Sequence, residues 1–360
     1  MHVRKLPSGR YQVLVKHNGK RASASARTLA EARQRGAELV FKLGGQPRDD
    51  TATVEALLAM HLAAVEDDWS PTTLADANSV VRLLPQPFLE RRVRDVSPAV
   101  IAGLYRQLTA QGVSAHRLRR IRMVLSGAWK RAISYEWAVS NPCRDVPMPK
   151  VTKPDLHPPS DDQVRAVLAE TDGAVQLFIR LAVVTGARRG EVVALQWCDV
   201  DVDRAELDIR RSLVQTPGSP PVERHTKTGS KGYRVLSLDL PTVAQLRRHR
   251  AVQVEQAVAN GLPAPVWIFS HDGGVSPWRP DYVSREFRRA CTAARVTGVR
   301  LHDLRHYVAV TMLTDGEAPA DVAGQLGHAS VATTLSTYWR HLPARNRDAT
   351  DRRAARLGDG

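Results

Sequence analysis

The apolar positions change period along the chain, and each change marks an element. Tyr11, Val13 and Val15 alternate with polar residues, the period-2 pattern of a half-buried strand. Asn18-Gly19 follows as a hairpin turn, and residues 28–40 have helical character opened by a Thr28–Glu31 capping box. Between residues 52 and 145 the spacing becomes helical. The segments "TVEALLAMHLAAV", "TTLADANSVVRLL", "PAVIAGLYRQLTAQG" and "SAHRLRRIRMVLSGAWKRAISY" predict four helices. In the last, Leu118, Ile121, Leu125 and Trp129 recur every three or four residues and form a core face. The segment 141–160 holds six prolines and predicts a linker. Beyond it, helices mix with a strand region at 205–239, where "AELDIRRSLV" and "YRVLSLDL" flank a Gly/Pro-rich connection.

The predicted fold is mainly α with small β-sheets (α+β). A small sheet plus helix occupies residues 1–48 and a helical domain 52–145. A linker at 146–160 leads to a mixed α/β domain at 161–345 and a tail at 346–360. No repeat and no extended low-complexity segment is present.

Composition adds a partner. Fifty-two Lys and Arg against 37 Asp and Glu give a net charge of +15. A polyanion is the natural partner for such an excess, nucleic acid first, although charge alone also serves solubility. Residues 1–48 carry eleven Lys and Arg against Glu31 and Glu38. In 114–135, Arg117, Arg119, Arg120, Arg122, Lys130 and Arg131 surround the core face. Lys16, Lys20, Arg21, Arg117, Arg120 and Lys130 are therefore the candidate DNA contacts, with a solvated basic surface as the alternative. No apolar run of about 18 residues and no export signal appear, so a soluble, unexported protein is expected. The three cysteines, Cys143, Cys198 and Cys291, lie far apart, which argues against a disulfide framework or a zinc site and for a reducing cytosol.

The last domain holds five chemically suggestive pieces in order: "TGARRGEVVALQWCDVD" (185–201), "HTKTGSKGYRVLSL" (225–238), "HDLRH" (302–306), "LGHASVATT" (326–334) and Tyr338. Singly each is weak. Together they meet one need. Phosphoryl transfer without a metal requires fixed cationic donors on the non-bridging oxygens, and the planar guanidinium fork suits them. It also requires a nucleophile and an acid for the leaving oxygen. Metal-binding carboxylate clusters are missing from this set.

The order Arg, Lys, His-x-x-Arg, His, Tyr resembles the signature of the tyrosine recombinases, the phage integrase class, whose members include Cre-like and Xer-like enzymes. The resemblance implies that Arg188, preferred over Arg189, is the first phosphate-binding arginine and that Glu191 steadies it. "ALQWCDVD" continues the match as helix packing and a turn. Lys227 becomes the general acid, ahead of Lys231, because it alone stands in a Thr-Lys-Thr context. "LHDLRH" supplies His302 and Arg305, "LGH" supplies His328, and "TTLSTYW" supplies Tyr338 as the nucleophile, ten residues after His328. Tyr307 and Val310 stand where threonines are usual and are read as packing variants.

The implied reaction is DNA cleavage through a 3′-phosphotyrosine followed by rejoining, with no cofactor, ATP or metal. Arg188, Arg305 and His328 would bind the non-bridging oxygens, Lys227 would protonate the 5′-oxygen, and His302 would assist Tyr338. By the same resemblance, residues 1–48 are an arm-type DNA-binding domain, 52–145 a core-binding domain and 161–345 the catalytic domain. The expected partners are double-stranded DNA at core and arm attachment sites and three further copies in a homotetramer. A host DNA-bending protein and a directionality factor are further expected partners, in a bacterial host's cytoplasm at the nucleoid. The tail would pack on a neighbouring protomer or stay free. Integration and excision of a phage or mobile element is the function so implied. The alternatives are a Xer-like dimer resolvase, a type IB topoisomerase, a catalytically idle DNA-binding regulator and a metal-dependent nuclease.

Overall fold

The computed structural model describes residues 2–17, 20–27, 32, 35, 39, 51–149, 156–216, 219–225, 232–338, 351 and 354–356. The chain divides into two compact units, Met1–Pro154 and Asp155–Gly360. Among the described residues no helix is long and apolar enough to cross a membrane.

The first unit begins with an antiparallel sheet, β1 (His2–Lys5), β2 (Tyr11–His17) and β3 (Lys20–Ala26), in sequence order. The alternation expected around Tyr11 is present: Val13 and Val15 are buried, while Leu14 and Lys16 between and beyond them are exposed. The Asn18-Gly19 turn and the Thr28–Glu31 capping box lie outside the described residues.

The helices of this unit are α1 (Val54–Ala63), α2 (Pro71–Val81), the single turn α3 (Gln86–Leu89), α4 (Pro98–Ala110) and α5 (Ala115–Ser134). Hydroxyl side chains start four of them, with Thr53, Ser70, Ser97 and Ser114 each accepting a backbone N–H of the first turn. Leu118, Ile121, Leu125 and Trp129 of α5 are fully buried, so the predicted core face is real. The proline-rich segment behaves differently from the expected linker in its first half. Asn141 donates to the Ser126 carbonyl and hydroxyl, Arg122 donates to the Arg144 and Val146 carbonyls, and Cys143 and Val146 are buried. The prolines remove backbone donors, and α5 side chains satisfy the carbonyls that remain.

The second unit opens with α6 (Asp161–Ala169), α7 (Gly173–Thr185) and the short α8 (Arg189–Val193). A three-stranded antiparallel sheet follows, ordered β4 (Val200–Asp201), β5 (Glu206–Ile209), β8 (Arg234–Ser237). Between β5 and β8 lies a separate hairpin of β6 (Arg211–Val214) and β7 (Val222–His225). Strand β7 falls where only a connection was expected. The Val214–Val222 pairing, hidden among prolines and charges, defines it. Helices α9 (Leu240–Ala259), α10 (Pro280–Ala293), α11 (Asp303–Asp315), α12 (Pro319–Leu326) and α13 (Val331–Tyr338) complete the unit. Trp197 packs in the core and donates to Gln253, and Asp199 caps the Gln196 amide, so the "ALQWCDVD" run is packing and a turn. Tyr307 donates to Asp161 of α6.

Two glycines set the ends of helices that matter below. Gly186 (φ +64°) closes α7 and Gly327 (φ +65°) closes α12, both in the left-handed region that favours glycine. A Cβ on Gly186 would lie 2.7 Å from Leu326 Cδ2, so the two helix ends are packed directly on each other.

Candidate active site

A helix ends with carbonyls that have no partner inside the helix, at the negative end of its dipole. Here those of α7 and α12 meet, and arginines bind them. Arg305, on the first turn of α11, donates to Gly186 O at 2.8 Å and Leu326 O at 2.6 Å. Arg234, at the start of β8, donates to Gln325 O at 2.8 Å. Arg188 reaches Gly327 O at 3.3 Å. Three guanidiniums are thereby fixed around one corner of the fold.

Glu191 ties two of them together. Its Oε1 accepts from Arg188 Nη1 at 2.8 Å, and its Oε2 accepts from Arg234 Nη2 at 2.8 Å and from the Arg188 backbone at 2.9 Å. The carboxylate is 1% exposed. Burial opposes its charge, but Arg234 and then Arg188 outweigh that cost and hold its carboxyl below the usual range. One carboxylate thus faces three arginines, and the corner keeps an excess of positive charge. Burial first, and Arg188 next, push Arg305 down to about 9, which leaves it cationic at neutral pH.

The histidines and the tyrosine complete the cluster. His328 follows Gly327, and its Nδ1 lies 2.7 Å from Thr334 Oγ1 of α13. Burial, then Arg305 and Arg188, lower it to about 4, so its ring is neutral at pH 7. His302 caps α11. Although its ring reaches solvent, the surrounding protein and then Arg305 lower its pKa. Tyr338 ends α13 and is buried against Val308, Ala309, Leu313, Val322 and Leu326. Burial pushes its hydroxyl up to about 12 against the pull of Arg305. Its Oη lies 2.7 Å from His306 Nδ1.

Of the sequence-derived candidates, Arg188, Glu191, Arg305, His328, His302 and Tyr338 are brought to this corner. Lys227 and its rival Lys231 lie outside the described residues. Arg189 turns elsewhere and donates to Ser284 of α10. Lys16 and Arg21 are exposed cross-strand neighbours on β2 and β3, and Lys20 pairs with His17 in the same register. Lys130 is exposed on α5. Arg117 and Arg120 are engaged within the unit: both hold Asp76 of α2, Arg120 Nε at 2.6 Å, and Arg117 also donates to Ser79 at 2.7 Å. Among the described residues no group of three His, Cys, Asp or Glu side chains could hold a metal.

Two residues of the corner escaped the sequence reading. His306 sits four residues after His302, on the same helix face. Arg234 alternates with Leu236 and Leu238 on the buried side of a strand, a charge at an inward position. Both signals are present in the chain and were masked by the abundance of Arg and His.

A buried tyrosine, paired to a histidine and set beside arginines held on helix ends, suits DNA strand transfer. The profile of the Phage integrase family matches residues 160–345. The chain belongs to that family, whose members cleave and rejoin DNA, and it is a tyrosine recombinase. The ICEBs1 integrase of Bacillus subtilis (strain 168) is 26% identical over 369 residues, covering 98% of this chain and 99% of that protein. Among solved structures, the Tn1549 transposon integrase in complex with transposon right end DNA superposes with a TM-score of 0.70 at 17% identity. That match covers 85% of this chain and 99% of the other. A lambda integrase tetramer bound to a Holliday junction gives 0.60 at 19% identity, covering 92% and 94%. These two likenesses establish the α+β fold.

Proposed function

We propose that this protein is the integrase of a mobile genetic element, using Tyr338 to cut and rejoin double-stranded DNA at paired attachment sites. The observation that carries the proposal is the convergence of Arg188, Arg305 and His328 on the Leu326–His328 turn, with Tyr338 on the next helix. Donors so fixed need no reorganisation when charge develops on a five-coordinate phosphate.

In the proposed reaction Tyr338 gives its hydroxyl proton to a neighbouring histidine as Oη bonds to the scissile phosphorus and the P–O5′ bond breaks. Arg188 and Arg305 hold the non-bridging oxygens, joined by His328. Lys227 gives a proton to the departing 5′-oxygen. The 5′-hydroxyl of the partner strand then attacks the phosphotyrosine, Tyr338 leaves, and the phosphodiester is restored. The ester bond's energy is conserved, so neither ATP nor a metal takes part.

The relative that matches over almost the whole chain, its N-terminal residues included, supports an integrase over a Xer-like resolvase. It also supports reading residues 1–48 as an arm-binding module, 52–145 as the core-binding domain and 161–345 as the catalytic domain. Assembly as a tetramer on synapsed DNA, in the cytoplasm of a bacterial host, belongs to the same proposal. The test is a nicked core-site duplex that traps the cleaved strand. Wild-type protein gives a covalent protein–DNA band on a denaturing gel and Tyr338→Phe gives none; an adduct on the Phe variant removes Tyr338 as the nucleophile.

A further inference from the structure

Resemblance alone gives His302 the role of assisting Tyr338. The geometry gives that place to another residue. Tyr338 Oη lies 2.7 Å from Nδ1 of His306, and among the described residues no other side chain is hydrogen-bonded to it. The two rings stand edge to face with centroids 5.7 Å apart. His302 is one step further out, its ring centroid 5.0 Å from that of His306.

We propose that His306, rather than His302, takes the Tyr338 proton during strand cleavage. This rests on the reading of Tyr338 as the nucleophile. As Oη bonds to phosphorus and P–O5′ breaks, the hydroxyl proton passes to His306 Nδ1, and the departing O5′ takes its proton from the acid assigned to Lys227. In the rejoining step the attacking 5′-hydroxyl gives its proton back to the acid assigned to Lys227, and the imidazolium returns its proton to the phenolate as that group leaves. Protons and electron pairs balance, and no further reactant enters.

The surroundings suit the task. An acceptor must present a neutral ring with a free lone pair, and burial, reinforced by His302, lowers His306 to about 4. The charged and titratable groups facing it are His302, Asp303 and Arg305 of its own helix, Arg300 just before it, His328 and Tyr338. Arg305 and Arg300 discourage protonation of the ring, and Asp303 favours it. A phosphodiester bound on Arg188 and Arg305 offsets that repulsion and makes the imidazolium tolerable, so proton transfer becomes easier when DNA is present. The tyrosine, raised to about 12 by burial, is inert at neutral pH without such an acceptor.

The test compares His306→Asn with His302→Asn in the full-length protein, using single-turnover cleavage of the nicked duplex across pH. The Asn amide oxygen stands near the place of Nδ1, so it can accept the tyrosine hydrogen bond but cannot take the proton. His306→Asn is expected to bind DNA with unchanged Kd, to cleave about 10²–10⁴-fold more slowly, and to lose the wild-type acidic limb. A fluorotyrosine of lower pKa at position 338 should restore much of that loss and should restore nothing to Arg188→Ala. His302→Asn should keep the acidic limb. Near-wild-type cleavage by His306→Asn, or loss of the limb in His302→Asn alone, overturns the proposal. If His306→Asn does not fold, fluorotyrosine placed opposite an intact His306 decides the matter: a limb set by His306 stays at its pH, and one set by the tyrosine moves. Absence of any wild-type adduct would count against the nucleophile itself and not against His306.

Discussion

Glu191 and Arg234 form an ion pair at 2.8 Å with side-chain exposures of 1% and 7%. Arg234 lies within the "HTKTGSKGYRVLSL" piece, where the resemblance gives a role only to a lysine, yet it joins the carboxylate behind Arg188 to the carbonyls that precede His328.

Truncating Arg234 should therefore cost more than a surface arginine does. Arg234→Met leaves Glu191 buried with Arg188 alone and frees the Gln325 and Gly232 carbonyls. A broken buried pair costs about 3–5 kcal/mol, and the urea midpoint of Asp155–Gly360 should fall accordingly while that of the first unit stays. Arg234→Lys, which keeps the charge and loses the fork, should fall between. Equal midpoints for wild type and Arg234→Met would show that the pair adds nothing.

Tyr338→Phe separates chemistry from folding. It removes one hydrogen bond, worth about 0.5–1.5 kcal/mol, and leaves the ring in its apolar contacts. The variant should fold and bind core DNA like the wild type and form no adduct. Arg188→Ala should likewise bind, with cleavage lowered by about 10²–10³. Both wild-type steps should proceed unchanged in EDTA, and loss of cleavage on chelation would instead indicate a metal-dependent nuclease.

Much of this was legible in the chain because the signals were local. Alternation at Val13 and Val15 and the 3–4 spacing from Leu118 to Trp129 depend on near neighbours. The order of the reactive residues was also readable. What was not legible depends on distant pairing. The use of the α7 and α12 carbonyls by Arg305, Arg234 and Arg188 joins residues up to 139 positions apart. The engagement of Arg117 and Arg120 by Asp76 spans about forty residues, which no local pattern shows. His306 was lost for another reason: a spacing places it on a face but cannot say which hydroxyl that face meets.

Those ion pairs make a prediction about salt. Lys130 is exposed on α5 and has no hydrogen bond or ion pair among the described residues, whereas Arg117 and Arg120 already face a carboxylate. If Lys130 neutralises a phosphate, Lys130→Ala should reduce the slope of log K against log salt by about 1. Arg117→Ala should change the slope less and lower the stability of the helical unit instead. A full unit of slope lost in Arg117→Ala would mean that it leaves Asp76 to bind DNA.

His61 gives the first unit an acid sensitivity. It is 5% exposed, no described residue bonds either ring nitrogen, and its ring meets Trp69 edge to face. Burial, then Arg131, lowers it to about 4 from 6.5. Between those values the unfolded chain binds a proton that the folded one refuses, so stability rises with pH through this window and falls on acidification. The full effect is at most about 3 kcal/mol for this group. His61→Leu should flatten the pH dependence of the helical unit's urea midpoint between about pH 4 and 6.5; an unchanged dependence would assign the proton uptake elsewhere.

Gly327 offers a test of how far the site depends on one helix end. Its φ of +65° is strained for any side chain, and a Cβ there would lie 2.8 Å from Arg234 Nη1 and 3.1 Å from Cζ. The left-handed conformation alone costs about 1–2 kcal/mol for a residue with a Cβ. The guanidinium cannot retreat freely, because its other nitrogens hold Gln325 O and Glu191. Gly327→Ala should therefore move Arg234 and its partner Glu191, loosen Arg188, and lower cleavage by more than the stability loss accounts for. Gly9→Ala is the matched control, since that glycine also has a positive φ but its Cβ meets nothing within 4 Å. If both substitutions lower stability alike and neither slows cleavage at a temperature where the protein stays folded, the α12 end holds only the fold and the arginines find their places without it.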